Sequence, residues 1–342
     1  MSAPKLADIA KRAGVSIAAV SLSLNDRETK RVSVKKRDEI QKIAAELGYT
    51  PNVLARALVD RRTRLLGLMV PMRDPIFFNY FIAQALSGIQ ATLMRRGYNL
   101  LVYSPSGRLG RSTRDQLLES KYTDGLIFIN TRSCSTRDIA ETIHELDAAK
   151  IKFTMINSYF GRAPVNYVGV DDMAIGEAAV RHLIKKKHRE IAFLSSSPNL
   201  PTHIHLLQGL RRGMTANGLT LTPDRIGCTE YDETKAFEIL DGWFASKRKR
   251  PTAIFCADDQ GVMHFYDWVA SRGMKIPDDV AVVGRGNAEL LSLLRPQPAA
   301  FYLPTFEMGE LAAEMLIECI EKPDTKSQRI LLPFKFFDGE TV

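Results

Sequence analysis

Cysteine is scarce in this chain of 342 residues: Cys134, Cys228, Cys256 and Cys319 stand far apart and form no Cys-x-x-Cys pair. That leaves no zinc motif and argues against a disulfide framework, so free thiols in the cytoplasm are expected. Long apolar runs are also missing. None approaches the ~20 residues that cross a bilayer, so no membrane partner is expected. The start, Met1 to Lys5, leads into a mixed polar stretch and not into the apolar centre of a signal sequence. No Gly-x-Ser-x-Gly elbow surrounds Ser195, and Gly284-Arg285-Gly286 lacks the third glycine of a dinucleotide fingerprint. No cofactor is therefore expected, and no nucleophile–base pair or metal cluster assembles that would make the chain an enzyme. His203 and His205 are poorly spaced for one metal on a helix and are expected in solvent. No heptad tail follows the last expected strand, so nothing predicts an assembly beyond a dimer.

Acidic residues are thin in one region only. The first 64 residues hold 14 Lys and Arg against 7 Asp and Glu, a surplus of seven within a chain total of +8. The remaining 278 residues hold 33 basic and 32 acidic side chains and are close to neutral. A short basic module attached to a large body of balanced charge is the footprint of a polyanion reader joined to a second part, here read as a sensor. The body's composition is that of a globular protein, and the length allows two or three domains. Lys247-Arg248-Lys249-Arg250 and Lys185-Lys186-Lys187-His188-Arg189 read as a solvated loop and a helix end.

Three short helices are predicted in the basic module. Leu6, Ile9, Ala10 and Ala13 follow the spacing of one helical face. Gly14 breaks that helix, and Ser16 can cap a second one reaching about Leu24, with Val15, Val20 and Leu24 turned inward. Ser33 can cap a third, whose inner face is Ile40, Ile43, Ala44 and Leu47, and Gly48 stops it. Helix, glycine turn, helix is the pattern in which the second helix enters the major groove of DNA.

Leu6-Ala7-Asp8-Ile9-Ala10-Lys11-Arg12-Ala13-Gly14-Val15-Ser16, then Val20-Ser21 and Leu24-Asn25, resembles the headpiece of the lactose/galactose repressor family. Leu47-Gly48-Tyr49-Thr50-Pro51-Asn52, Leu54-Ala55-Arg56 and Leu58 continue the likeness in order and spacing. The resemblance implies that Ile17, Ala18 and Leu22 face base edges. Three apolar side chains there cannot make bidentate hydrogen bonds to guanine or adenine, but they can pack on thymine methyl groups. Ser16, Ser21, Asn25 and Arg31 are further candidates for DNA contact. Residues 51–60 read as a hinge helix with Pro51 in its first turn. The resemblance places Leu58, flanked by Ala55 and Arg56, as a wedge between base pairs in the minor groove.

From Leu65 onward short apolar runs alternate with amphipathic stretches, which implies parallel, doubly wound sheets. Strands are predicted at Leu65–Val70, Asn99–Tyr103, Gly125–Ile129, Phe153–Ile156, Tyr167–Val170, Ile191–Leu194, Ala253–Cys256 and Val280–Val283, with helices at 78–96, 173–186, 206–217, 234–245 and 260–272. Arg96-Gly97-Tyr98-Asn99-Leu100-Leu101, Thr123-Asp124-Gly125 and Pro277-Asp278-Asp279-Val280 extend the family likeness here. The expected organisation is an all-α helix-turn-helix headpiece at 1–50 and a hinge and linker at 51–64. These precede an α/β periplasmic-binding-protein-like core of two doubly wound parallel-sheet lobes. The N-terminal lobe is expected at 65–166 plus 298–329 and the C-terminal lobe at 167–297 plus 330–342, with crossings near 166, 298 and 330.

The family resemblance implies a DNA-binding transcriptional regulator, a repressor, in the bacterial cytoplasm at the nucleoid. It would bind a pseudo-palindromic operator as a homodimer and respond to a small-molecule effector between its lobes. The cleft departs from the family's sugar-holding pattern. Leu206 replaces an arginine, Gly286 an aspartate and Asn157 an aspartate. Phe77, Phe78, Asn157, Thr202, Leu206, Tyr231, Asp258 and Arg285 remain as effector candidates. Three readings stay open: a flat effector stacked on Phe77 and Tyr231, a closed cleft filled by side chains, and a sugar held by rearranged contacts.

Overall fold

The structure is a computed structural model and describes residues 4–25, 31–49, 62–70, 79–103, 123–129, 135–157, 164–245 and 250–342. The chain divides into two compact units, Met1–Thr63 and Arg64–Val342.

The first unit contains three described helices, α1 (Leu6–Ala13), α2 (Ile17–Asn25) and α3 (Val34–Glu46). α1 stops where Gly14 adopts a left-handed backbone at φ 63° and donates its amide to Ala10 O. A side chain at Gly14 would be strained in that conformation. Two residues on, Ser16 Oγ accepts the Ala19 amide at 3.2 Å and opens α2. Ser33 Oγ accepts the Lys36 amide at 3.4 Å and opens α3. The apolar faces predicted from periodicity meet: Ile9, Ala10, Ala13, Val20, Ile40, Ile43 and Ala44 form one buried cluster. Arg12 reaches Glu46 at 2.6 Å on the surface, a kind of contact that contributes at most about 1 kcal/mol. The hinge expected at 51–60 lies outside the described residues.

The second unit alternates strand and helix. Its first part runs β1 (Leu65–Met69), α4 (Tyr80–Arg96), β2 (Asn99–Tyr103), β3 (Gly125–Ile129), α5 (Thr136–Ala148), β4 (Phe153–Ile156) and β5 (Asn166–Gly169). It continues through α6 (Asp172–Lys185), β6 (Ile191–Ser195), α7 (Pro201–Ala216), β7 (Ile226–Cys228), α8 (Glu233–Phe244) and β8 (Ala253–Cys256). The last part is α9 (Asp259–Ser271), β9 (Ala281–Gly286), α10 (Ala288–Leu291), β10 (Ala299–Tyr302), α11 (Thr305–Glu321), β11 (Arg329–Leu331) and β12 (Lys335–Phe337). Among the described residues two six-stranded sheets result, ordered β11-β5-β4-β3-β1-β2 and β12-β10-β9-β8-β6-β7. Neighbouring strands run parallel except β10 and β12.

The three crossings between sheets lie a few residues beyond their expected places. β5 pairs with β4 and β11, so the first crossing follows Gly169 and not residue 166. β10 pairs with β9, so the chain leaves the second sheet after Tyr302 and not at 298. β11 belongs to the first sheet, which moves the last crossing from 330 to beyond Leu331. Apolar patterning marks a buried strand without telling which sheet receives it. The helix predicted from 206 begins at Pro201, because a proline in the first turn gives up an amide that has no helical partner there.

Each lobe carries a helix pair whose backbones touch. A Cβ on Gly309 of α11 would stand 2.1 Å from Ala85 O of α4, and one on Gly209 of α7 would stand 2.1 Å from Met173 O of α6. This close approach holds the helices against the sheets and fixes the loops at the carboxyl ends of the strands, where ligands of open parallel sheets gather.

Candidate functional site

Of the α2 residues predicted to face DNA, those in the first turn are exposed. Ile17 is 52% exposed and Ala18 is exposed, while Ser21 and Leu22 are half-buried. Ser16 is exposed but its hydroxyl is engaged as the α2 cap. Ser23 turns the other way, fully buried, and donates to Ala19 O at 2.8 Å. α2 carries no ionisable side chain at any position, so the positive charge of the module lies on the elements around it. Arg31 is exposed at the approach to α3. Asn25 ends α2, with its side chain outside the description; Ala55, Arg56 and Leu58 also lie outside the described residues.

In the second unit, the ends of β4, β6, β8 and β9 bring a polar set together. Arg285, at the end of β9, donates to Asp172 Oδ1 at 2.6 Å, and both side chains are buried. Its Nη1 also reaches Ala257 O at 3.4 Å. A buried guanidinium is tolerable here because its carboxylate is held at bonding distance. Asp258 caps α9 by accepting the Gly261 amide at 2.8 Å, and its other oxygen accepts from Ser196 Oγ.

His203, expected in solvent, is instead buried on α7. Its Nδ1 accepts the Ser197 amide at 3.0 Å and meets Ser195 Oγ at 2.6 Å, while Nε2 lies 3.6 Å from Asp258. Burial holds the imidazole below its usual range, outweighing the pull of Asp258, and nearby Arg285 pushes the same way as burial. The His203–Asp258 contact is therefore that of a neutral ring with a carboxylate and not an ion pair. The strand-end serines order this loop, and Ser195 is itself buried. On the same helix, burial pushes His205 down to about 4.

Asp259 accepts the Asn287 amide at 2.7 Å. Its carboxyl fills the space a side chain at residue 286 would need, since a Cβ on Gly286 would come within 1.9 Å of it. The aspartate missing at 286 is thus matched by a carboxyl arriving from α9. Part of Asp259 reaches solvent, but its carboxyl lies deep, and burial raises it to about 7 against the lowering effect of the Asn287 amide.

Thr202, buried, donates to Asn157 Oδ1 at 3.2 Å, joining the end of β4 to α7 and so one lobe to the other. Asn157 takes a left-handed backbone, φ 84°. Gln84 of α4 and Glu289 of α10 make a second link at 3.2 Å. Tyr231, half-buried after β7, follows Glu230 through two consecutive left-handed residues, φ 51° and 64°. Such backbone costs of order 1–3 kcal/mol per residue and concentrates at functional sites. Leu206, expected as an effector contact, is fully buried within the apolar core cluster. Without a charged head the side chain that replaces the family's arginine buries itself. Phe77 and Phe78 lie outside the described residues. Asp172 and Asp259 are the members of this set that do not stand out in the sequence, whereas His203 stands out but is expected in solvent. The sequence signal for Asp259 is the pair Asp258-Asp259 just beyond a predicted strand.

Residues 5–52 match the bacterial regulatory proteins of the lacI family, and residues 180–342 match the periplasmic binding protein-like domain. The ribose operon repressor of Haemophilus influenzae is 28% identical over 326 residues, covering 95% of this chain and 94% of the relative. The transcriptional regulator CelR, solved as a complex with cellobiose, superposes with a TM-score of 0.71 at 25% identity, over 99% of this chain and 100% of that one. The lac repressor dimer, solved with operator and the anti-inducer ONPF, shares the fold with a TM-score of 0.83 at 21% identity, over 99% of both chains. The chain thus carries a headpiece of the lacI family of bacterial regulatory proteins followed by a periplasmic binding protein-like core, the same two parts, in that order, that the resemblance to the lactose/galactose repressor family implies.

Proposed function

We propose that this protein is a sequence-specific DNA-binding repressor that acts as a homodimer on a pseudo-palindromic operator in the bacterial cytoplasm, at the nucleoid. The observation that carries this reading is the headpiece: a helix-turn-helix, within a first 64 residues that hold a surplus of seven positive charges, whose second helix leaves Ile17 and Ala18 exposed. Phosphates are gripped by Lys and Arg, and each of two headpieces reads one half-site. Residues 51–64 act as the hinge, with Ala55, Arg56 and Leu58 in the minor groove. The protein works by binding and not by turnover.

The core regulates. An effector between the lobes, contacting Asn157, Thr202, Tyr231, Asp258 and Arg285, with Phe77 and Phe78 as further contacts implied by the family resemblance, favours one lobe arrangement and so changes the spacing of the two hinges. A second reading is a regulator that needs no effector. It is supported by the direct Asn157–Thr202 and Gln84–Glu289 links and by the neutralisation of Arg285 by Asp172.

Selection from random duplex DNA at low ionic strength tests the function. A two-fold-symmetric motif is expected, and absence of any enriched duplex contradicts the proposal. A thermal-shift screen of metabolites separates the two regulatory readings. A stabilising hit that also changes operator affinity supports the effector, and a flat screen supports the closed cleft.

A further inference from the structure

We infer that the headpiece reads the C5-methyl group of pyrimidines in the major groove through Ile17 and Ala18, accepting thymine and 5-methylcytosine alike and discriminating against uracil and unmodified cytosine. This inference rests on the DNA-binding function proposed above.

The first turn of α2 is the part of a recognition helix that meets base edges. Here it offers carbon only. Ile17 is 52% exposed and Ala18 beside it is exposed. Two of the hydroxyls around them have partners within the headpiece, and Ser21, one turn further on, is half-buried. Ser16 Oγ holds the Ala19 amide, and Ser23 is buried against Ala19 O. No ionisable side chain lies on α2 to reach over them.

In the major groove the apolar feature of a base edge is the C5-methyl of thymine; the other features are hydrogen-bond donors and acceptors. An isoleucine laid on cytosine N4 or an unmethylated C5 position displaces water and returns nothing. Laid on a methyl group, it removes apolar surface from water on both partners. 5-Methylcytosine carries that methyl at the same ring position. A contact that makes no hydrogen bond has no means of distinguishing O4 of thymine from the N4 amine beside it. The headpiece therefore answers to methylation of cytosine at the position Ile17 faces, which makes operator occupancy sensitive to that modification.

The test uses the full chain and the operator selected as above. Each thymine is replaced in turn by uracil, which deletes the methyl and nothing else. At the base facing Ile17 the affinity should fall about fourfold for one half-site and roughly fifteenfold for both, the factor carried by one buried methyl on each side. Replacing that T·A pair by a 5-methylcytosine·G pair should keep affinity within about twofold, whereas a C·G pair should lose as much as uracil does. In the Ile17→Ala variant the uracil penalty at this position should shrink while the salt dependence stays. Ile17 is exposed and outside the buried cluster, so the variant should retain wild-type helicity by circular dichroism. Uracil tolerated at every position, an undiminished penalty in Ile17→Ala, or equal losses with 5-methylcytosine and cytosine would each overturn the inference while leaving the DNA-binding function intact. Failure to enrich any duplex would instead remove the function on which it rests.

Discussion

The two units of this chain use charge in opposite ways. The headpiece keeps its positive charge at the surface and packs a small apolar cluster of Ile9, Val20, Ile40 and their neighbours beneath it. The core is close to neutral outside, yet buries Arg285 against Asp172 and sets Asp259 and His203 beside them. Surface charge acts through number and reach and is weakened by salt. Buried charge acts through geometry and is lost when a single partner is removed. One unit suits a search along a polyanion, the other a switch between defined arrangements.

The largest effect expected from this contrast is on DNA affinity. A dimer neutralising about 6–10 phosphates should bind roughly 10³–10⁵ times more weakly at 200 mM than at 50 mM salt, as measured by fluorescence anisotropy. The thermal stability of the core should hardly move over the same range.

Next comes the buried pair. Arg285→Leu leaves Asp172 buried without a counter-charge and should cost about 3–5 kcal/mol in denaturant unfolding of the core. Pairing it with Asp172→Asn should recover much of that loss. Similar costs for the single and double variants would show that packing, and not charge, holds this corner.

Asp259 provides the pH test. Its folded-state value of about 7 lies above the ordinary 3.8, so the folded chain holds an extra proton between those values. The stability this confers is complete at low pH and is lost as pH rises through that window. Asp259→Asn keeps an acceptor for the Asn287 amide and should therefore exceed the wild type by roughly 2–4 kcal/mol at pH 8 while matching it near pH 4. His205 has the opposite sign: its value of about 4 lies below 6.5, so its contribution is present at high pH and fades on acidification. An Asp259→Asn advantage that did not grow with pH would contradict the assignment.

The smallest effect belongs to the headpiece. Ser33→Ala removes the α3 cap and should lower headpiece stability by about 1 kcal/mol, with the core transition unchanged.

The headpiece was legible in its sequence because its signals are local. Apolar residues at helical spacing, a left-handed glycine at 14 and serine caps at 16 and 33 each act within a few residues. The doubly wound core was legible in class but less so in detail. Ile226–Cys228, Arg329–Leu331 and Lys335–Phe337 are strands too short to show a period, and sheet membership at the crossings is decided by distant partners. The cleft was the least legible part. His203 looks like a solvent-facing residue until β6 and β8 bring Ser195, Ser197 and Asp258 around it. Leu206 looks like a substituted ligand contact until the α6–α7 crossing buries it. Gly286 looks like a lost carboxylate until Asp259 is seen in its place.

The most direct test of the account is the ratio of affinities of the full chain for its selected operator and for a shuffled duplex of equal length and composition, at one physiological salt concentration. The account predicts a preference of at least about 10³. Equal affinity for the two duplexes would contradict it.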